Sequence, residues 1–201
     1  MDLHMDKISV KHGIETMKEL YPRFAEKLES ANTIIKNMAT YWSGYNFEMI
    51  YSDWNESVKI NNEILTLLAV EIINKNSNVF LIYTDADRSP VDLGTQTPAV
   101  LDEVIPNNNT NISNMNTERL QTDLTQLSGD LQFALTLGDE LFQTALNIDW
   151  SSSEALPLLR IKLLKNKDLM DESLKKVIDR VTANLEEVIK TNINAEESVE
   201  G

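Results

Sequence analysis

The chain has 201 residues, of which 42% are hydrophobic, with no cysteine and a formal net charge of −14. That length buries one or two modest cores, the lack of cysteine excludes disulfides, thiolate metal sites and cysteine nucleophiles, and the acidic excess opposes binding to phosphate backbones or anionic lipid heads. No apolar run approaches the ~20 residues of a membrane span, and the opening MDLHMDKISV lacks the basic-then-apolar build of a signal peptide. The expectation is a protein made in the cytoplasm whose partners are other proteins, with no nucleic acid, no membrane span and no cofactor.

In chain order, the first element is a helix marked by Val10, Ile14, Met17, Tyr21, Phe24, Leu28, Ala31, Ile35 and Met38, followed by Trp42. Steps of three and four alternate, which is the seam of a helix packing lengthwise on another. Pro22 removes one backbone hydrogen bond and clashes with the preceding turn, so a kinked or broken first helix is expected. A second stripe runs through Phe47, Ile50, Trp54, Val58, Leu65, Leu68 and Ile72, with Asn61 at its polar position. The connection between the two stripes is short, which makes the helices antiparallel.

Pro90, Pro98, Pro106, Gly94 and the run NNNTNISNMN then break any helical period, and residues 89–113 read as a flexible linker. Sequons at Asn55, Asn108 and Asn111 are what an Asn-rich chain carries by chance. After the linker, Leu120, Leu124, Leu127, Leu131, Ala134, Leu141 and Ala145 form a third stripe, and Met170, Leu174, Val177, Val181, Leu185 and Val188 form a fourth. Trp150 stands between them as Trp42 stands between the first two, so each half is a helix, a Trp-Ser turn and a helix. This is an internal duplication of a unit too thin to bury its own stripe. Ser151 and Glu154 fit a capping box for the last helix, although Pro157 fits its first position too. The fold expected is all-α: two antiparallel hairpins, residues 1–88 and 114–195, forming a four-helix bundle, with a tail at 196–201.

The turn ATYWSGYNF at 39–47 is unusually aromatic for a reversal, since turns are normally polar. Gly44 can take positive φ at no steric cost, which would let the backbone reverse tightly. The indole of Trp42 would cover the open end of the hairpin. Tyr41, Tyr45 and Phe47 add more aromatic surface than one hairpin needs, which suggests a contact surface.

Trp42, Ser43 and Gly44 in a turn between two helices resemble the Trp-x-Gly signature of the WXG-hundred family, the early-secreted-antigen-like hairpins exported by bacterial type VII secretion systems. Tyr83 and Asp87, in YTDAD just past the second stripe, resemble the family's Tyr-x-x-x-Asp/Glu export signal, and their i, i+4 spacing puts phenol and carboxylate on one helical face. The second half departs from the pattern. Trp150, Ser151 and Ser152 have Ser where the family has Gly, and at the offset of Tyr83 and Asp87 stand Thr191 and Ala195. The resemblance implies a hairpin pair fused in one chain, with one signal. It implies recognition by the secretion ATPase or machinery, pairing with or escort of a larger effector or another such protein, and residence in the cytoplasm followed by secretion. In an antiparallel pair, Tyr83 and Asp87 would lie beside Trp150 and Ser151.

Each feature has a plainer reading. Trp42 and Trp150 serve equally as packing residues that lock the turns, Trp54 reads as core, and Tyr83 with Asp87 fits a fraying helix end. His4 and His12 propose no site. With no Gly-rich phosphate loop, no His or Cys cluster and no Ser beside a base, the sequence reads as a non-enzyme without a metal site. The alternative to an export substrate is a helical adaptor or scaffold that stays in the cell.

Overall fold

The computed structural model describes residues 6–106, 116–148 and 155–200, with side chains of the last helix described over 157–192. The described residues are helical apart from turns and one extended segment, and contain no strand. Helix α1 (Lys7–Met38) is followed by α2 (Tyr45–Thr66), which passes through a π-helical stretch (Leu67–Asn74) directly into α3 (Lys75–Ala86). The second half comprises α4 (Thr117–Asn147) and α5 (Ala155–Glu200). The fold is the all-α bundle of two antiparallel hairpins that the stripes predict.

Every residue of the first three stripes is buried, as are Met170, Leu174, Val177 and Val181 of the fourth. Leu185 and Val188 pack at its edge. Each buried Val, Leu, Ile, Met or Phe among them contributes roughly 1.5–3 kcal/mol. The hairpins close on each other as two antiparallel pairs, α1 on α4 and α2 on α5. A buried carboxylate marks the middle of each pair. Asp130 of α4 accepts from Lys27 Nζ at 2.8 Å and Ser30 Oγ at 2.7 Å, both on α1. Asp53 of α2 receives Lys176 at 2.9 Å and Arg180 at 3.0 Å from α5. Within the first hairpin, Trp54 is fully buried and its Nε1 donates to Asn32 Oδ1 at 2.8 Å, which confirms its place in the core. Asn61, also buried, donates to Ser57 O and Oγ at 2.9 Å.

Three features differ from the sequence reading. Pro22 does not break α1, which runs unbroken from Lys7 to Met38. The proline faces solvent while Tyr21 and Phe24 beside it are buried. The missing hydrogen bond therefore falls on the wet side, and packing on the other side offsets a cost of about 3 kcal/mol. The last helix continues through 196–200, where a tail was expected. It begins at Ala155 with Pro157 in its first turn, where backbone N–H groups have no helical acceptor anyway.

The third difference is larger. Over residues 89–106 the expected flexible linker is an extended strap laid back along the first hairpin, with Leu101 and Val104 buried. The reversal that launches it is a Schellman turn at the end of α3: Ser89 N donates to Thr84 O at 3.0 Å and Arg88 N to Asp85 O at 2.8 Å. Arg88 holds φ at 59°, a left-handed conformation usually given to Gly or Asn. Val91 N then donates to Thr84 Oγ1 at 2.9 Å.

Two glycines of α4 test the packing in opposite senses. A methyl at Gly138 would overlap Met170 of α5, whereas one at Gly129 would meet nothing within 4 Å. Gly138→Ala should lower the thermal midpoint by an overpacking cost of about 1–3 kcal/mol. Gly129→Ala should raise stability by about 0.5–1 kcal/mol through helix propensity, and the midpoint with it. Calorimetry of the two variants checks both signs.

Candidate functional site

The sequence-derived site residues fall at opposite ends of the bundle. At one end, α1 finishes with Trp42 N donating to Met38 O at 2.9 Å, and Gly44 caps α2 with φ 105° and ψ 177°. That region of backbone space is essentially restricted to glycine, so the requirement for Gly44 is conformational. Trp42 is only 8% exposed and packs on Phe47 at 5.4 Å between ring centroids, and Phe47 in turn on Tyr51 at 5.5 Å. The indole closes the hairpin end, and Ser43 is exposed beside it.

The contact surface expected from Tyr41, Tyr45 and Phe47 is therefore corrected. Phe47 is buried. Tyr41 is half-buried against the second hairpin: its hydroxyl donates to Asp123 of α4, and the Arg119 guanidinium lies 4.1 Å from its ring centroid. Burial first, then the Asp123 contact, raises the Tyr41 phenol above its ordinary range. Only Tyr45 is openly exposed. Alternation of aromatic residues across a turn gives no sign of which ones the neighbouring hairpin will cover.

At the other end, Tyr83 and Asp87 lie one helical turn apart at the close of α3. Tyr83 is partly buried against the core and Asp87 is half-exposed at the C-cap. Lys7, the first residue of α1, joins them: it forms an ion pair with Asp87 and its Nζ sits 5.2 Å from the Tyr83 ring centroid. Beside this trio an open hollow of about 470 Å³ is bordered by Lys11, His12, Phe80 and Val91. Val79 and Ile82 are exposed on the same helix. Trp150, Ser151 and Ser152 lie outside the described residues, and so does His4. Ile148, at the end of α4, packs over Gly13 of α1, so close that a methyl on Gly13 would sit 2.9 Å from its Cγ1. Helix α4 thus finishes at the Tyr83–Asp87 end of the molecule, away from Trp42.

Three asparagines, of which the sequence reading names only Asn55 and that as a chance sequon, form a regular polar array among the described residues. Each uses both atoms of its side-chain amide to bracket one residue of the strap. Asn55 accepts from Val104 N at 2.8 Å and donates to Val104 O at 3.0 Å. Asn62 does the same with Leu101 at 2.8 and 2.9 Å, and Asn74 with Gln96 at 2.6 and 2.9 Å. Tyr21 completes the row: its hydroxyl accepts from Ala99 N at 2.9 Å and donates to Leu65 O at 3.2 Å. Burial raises the Tyr21 phenol, and the Ala99 bond opposes that in smaller measure. The seven-residue step from Asn55 to Asn62 was a readable signal, being two α-turns.

The π-helical stretch explains why the third asparagine was not readable. From Asn62 to Asn74 is 12 residues, whereas three α-turns take about 11. Wider i→i+5 turns over Leu67–Asn74 absorb the extra residue and bring Asn74 back to the face of the other two.

Among the described residues no group of three or more His, Asp or Glu side chains is gathered as a metal site would require. The continuous helix Tyr45–Ala86 does contain a window apolar enough for a membrane span by length and composition, with mean hydropathy 1.2, and half of that window is buried in the bundle. The expectation that no apolar run reaches membrane length is corrected for this window, which polar residues such as Thr66 and Glu71 punctuate. Comparisons with protein-family models, curated proteins and solved structures returned no match.

The turn yields two predictions. Trp42→Ala should cost about 3–5 kcal/mol, the price of a buried aromatic, and Gly44→Ala about 1–3 kcal/mol from backbone strain alone, because a methyl there has nothing within 4 Å. Chemical denaturation measures both. Tyr21 and Tyr41 both have raised pKa values in the folded chain. The unfolded chain therefore releases their protons first, and stability should fall as pH rises above the ordinary tyrosine value of about 10. Tyr41→Phe should flatten that loss, as followed by thermal melts at stepped alkaline pH.

Proposed function

We propose that this chain is a substrate or targeting partner of a bacterial type VII secretion system, read through the Trp42–Gly44 turn together with Tyr83 and Asp87. One observation carries the proposal: Tyr83 and Asp87 sit on one face of the last turn of a helical hairpin whose own turn is Trp-Ser-Gly with a glycine-only backbone. The paired-hairpin bundle fits such a substrate in its paired form, with the second half of the chain as the built-in partner. Trp42 acts through packing, since it is almost fully covered, while Tyr83 and Asp87 supply the recognised chemistry to the secretion ATPase. The chain would be made in the cytoplasm and then secreted, alone or escorting a larger effector. It performs no catalysis in this reading.

A second reading, a helical adaptor that stays in the cell, is favoured by the position of Lys7. Its ammonium engages both Tyr83 and Asp87, so the signal pair is already occupied within the chain. Export assays separate the two. Tyr83→Ala should abolish appearance of the protein in the culture medium with helicity near that of the wild type and only the modest drop in thermal midpoint that losing a half-buried ring brings, and Lys7→Ala should leave export intact or raise it. Retention of the wild-type chain in the cell fraction of a host with an active system would overturn the export reading.

A further inference from the structure

We infer that the groove along α1 and α2 under the strap is a binding site for an extended segment of another protein, held shut by the chain's own residues 91–104. The bonds that hold the strap point to this. At Gln96, Leu101 and Val104 the asparagines grip the main-chain N–H and C=O, and at Ala99 Tyr21 grips the N–H. Groups that bracket a peptide unit recognise any residue able to run extended there, proline excepted, because proline lacks the N–H. Side-chain selection rests mainly on two buried anchors, Leu101 and Val104, three residues apart, with Val91, Leu93 and Ala99 partly buried against the core.

Charge narrows the class of occupant. In a chain with net charge −14, lysines line this groove. Lys36 lies 3.5 Å from Asp102 and Lys59 3.5 Å from Glu103, the two strap residues between the anchors, and Lys18 donates to Leu93 O. These exposed pairs add little stability, but they set the preference. The occupant is an extended peptide with an apolar residue, two acidic residues and a second apolar residue, and with no proline at the bracketed positions.

A strap serving only as a connector has no need of this array. Asparagine is a poor helix former, yet three occupy the helix interior, and the helix departs to π geometry where the third must be brought into line. The strap itself leaves Val100 and Ile105 exposed and is launched by Arg88 in a left-handed conformation, which disfavours its closed path. Because the strap is tethered, it competes at an effective concentration on the order of millimolar, so an outside peptide gains access only when the strap is loosened or when it binds more tightly. The inference is independent of the export reading, since Tyr83 and Asp87 lie outside the groove.

The test uses the full chain and a fluorescent peptide of strap sequence, residues 89–106. Leu101→Ser with Val104→Ser loosens the strap. By anisotropy, the peptide should bind this variant at least tenfold more tightly than the wild type. Methylating the peptide nitrogen at the Leu101 position, or adding Asn62→Ala to the protein, should weaken binding tenfold or more. A folded variant that does not bind the peptide, or binds the methylated form equally well, overturns the inference. If the variant fails to fold, amide hydrogen exchange of the wild type decides. Excess unlabelled peptide should accelerate exchange at Gln96, Ala99, Leu101 and Val104, and unchanged protection at saturating peptide overturns the proposal. Concentration-dependent dimers of the wild type that exchange straps, seen by sedimentation, would assign the groove to a second copy and overturn the choice of a foreign peptide.

Discussion

A two-helix hairpin cannot enclose its own seam, and the architecture of this chain follows from that constraint. Each helix here is apolar along one stripe, and in a hairpin standing alone one side of each stripe would remain in water. Placing two hairpins against each other closes both seams at once. The apolar stripes give little information about sliding, because a helix moved by one heptad presents nearly the same surface. Asp130 and Asp53 supply what the stripes lack. Each is almost fully buried and satisfied only by residues of the opposing hairpin, Lys27 with Ser30 and Lys176 with Arg180. Displacing either pair by a turn would strand a buried carboxylate, a change worth about 3–5 kcal/mol when one partner is lost. The pairs therefore favour one register more than they raise stability.

Once the hairpins are in register, the outer groove of the first one remains, and the strap fills it. This alters the meaning of the connector. A flexible tether holds two units near each other and otherwise leaves them alone. Here the segment from Val91 to Val104 adds buried side chains and main-chain hydrogen bonds to the first hairpin, so that unit is not complete at residue 88.

The sequence made the helical stripes legible because burial recurs with a fixed period, and nearly every residue named from that period is in the core. It made Gly44 legible because a single residue type fits the backbone required. Other features depend on a neighbour that no local pattern reveals. Phe47 and Tyr45 are two residues apart in the same turn, and what separates a buried ring from an exposed one is the direction in which α2 leaves. Local grounds predict a kink or break at Pro22, yet its place on the solvent face of a long helix buried on its other side makes it tolerable. The strap was hidden by composition: Pro, Gly, Thr and Asp spell a loop, and main-chain hydrogen bonds to distant asparagines leave no trace in the segment that receives them. The trace lies in Asn55 and Asn62, on a helix where asparagine has no reason to recur at two turns.

The π-helical stretch shows how the two levels meet. Its residues, LLAVEIIN, are strongly apolar and pack on α1 from one side, which alone would suit a regular α-helix. Widening a helix weakens its packing geometry, and π-turns are accordingly rare and short. This one spans Leu67–Asn74 and ends on the asparagine that brackets Gln96. A regular helix would turn Asn74 roughly a third of the way round the axis from the line of Asn55 and Asn62, leaving Gln96 N–H and C=O without their partner. Two bonds to an otherwise unpaired peptide unit, together with the continuity of the ladder, favour the wider turn. The irregularity of the longest apolar segment is therefore set from outside the helix, by the strap that crosses it.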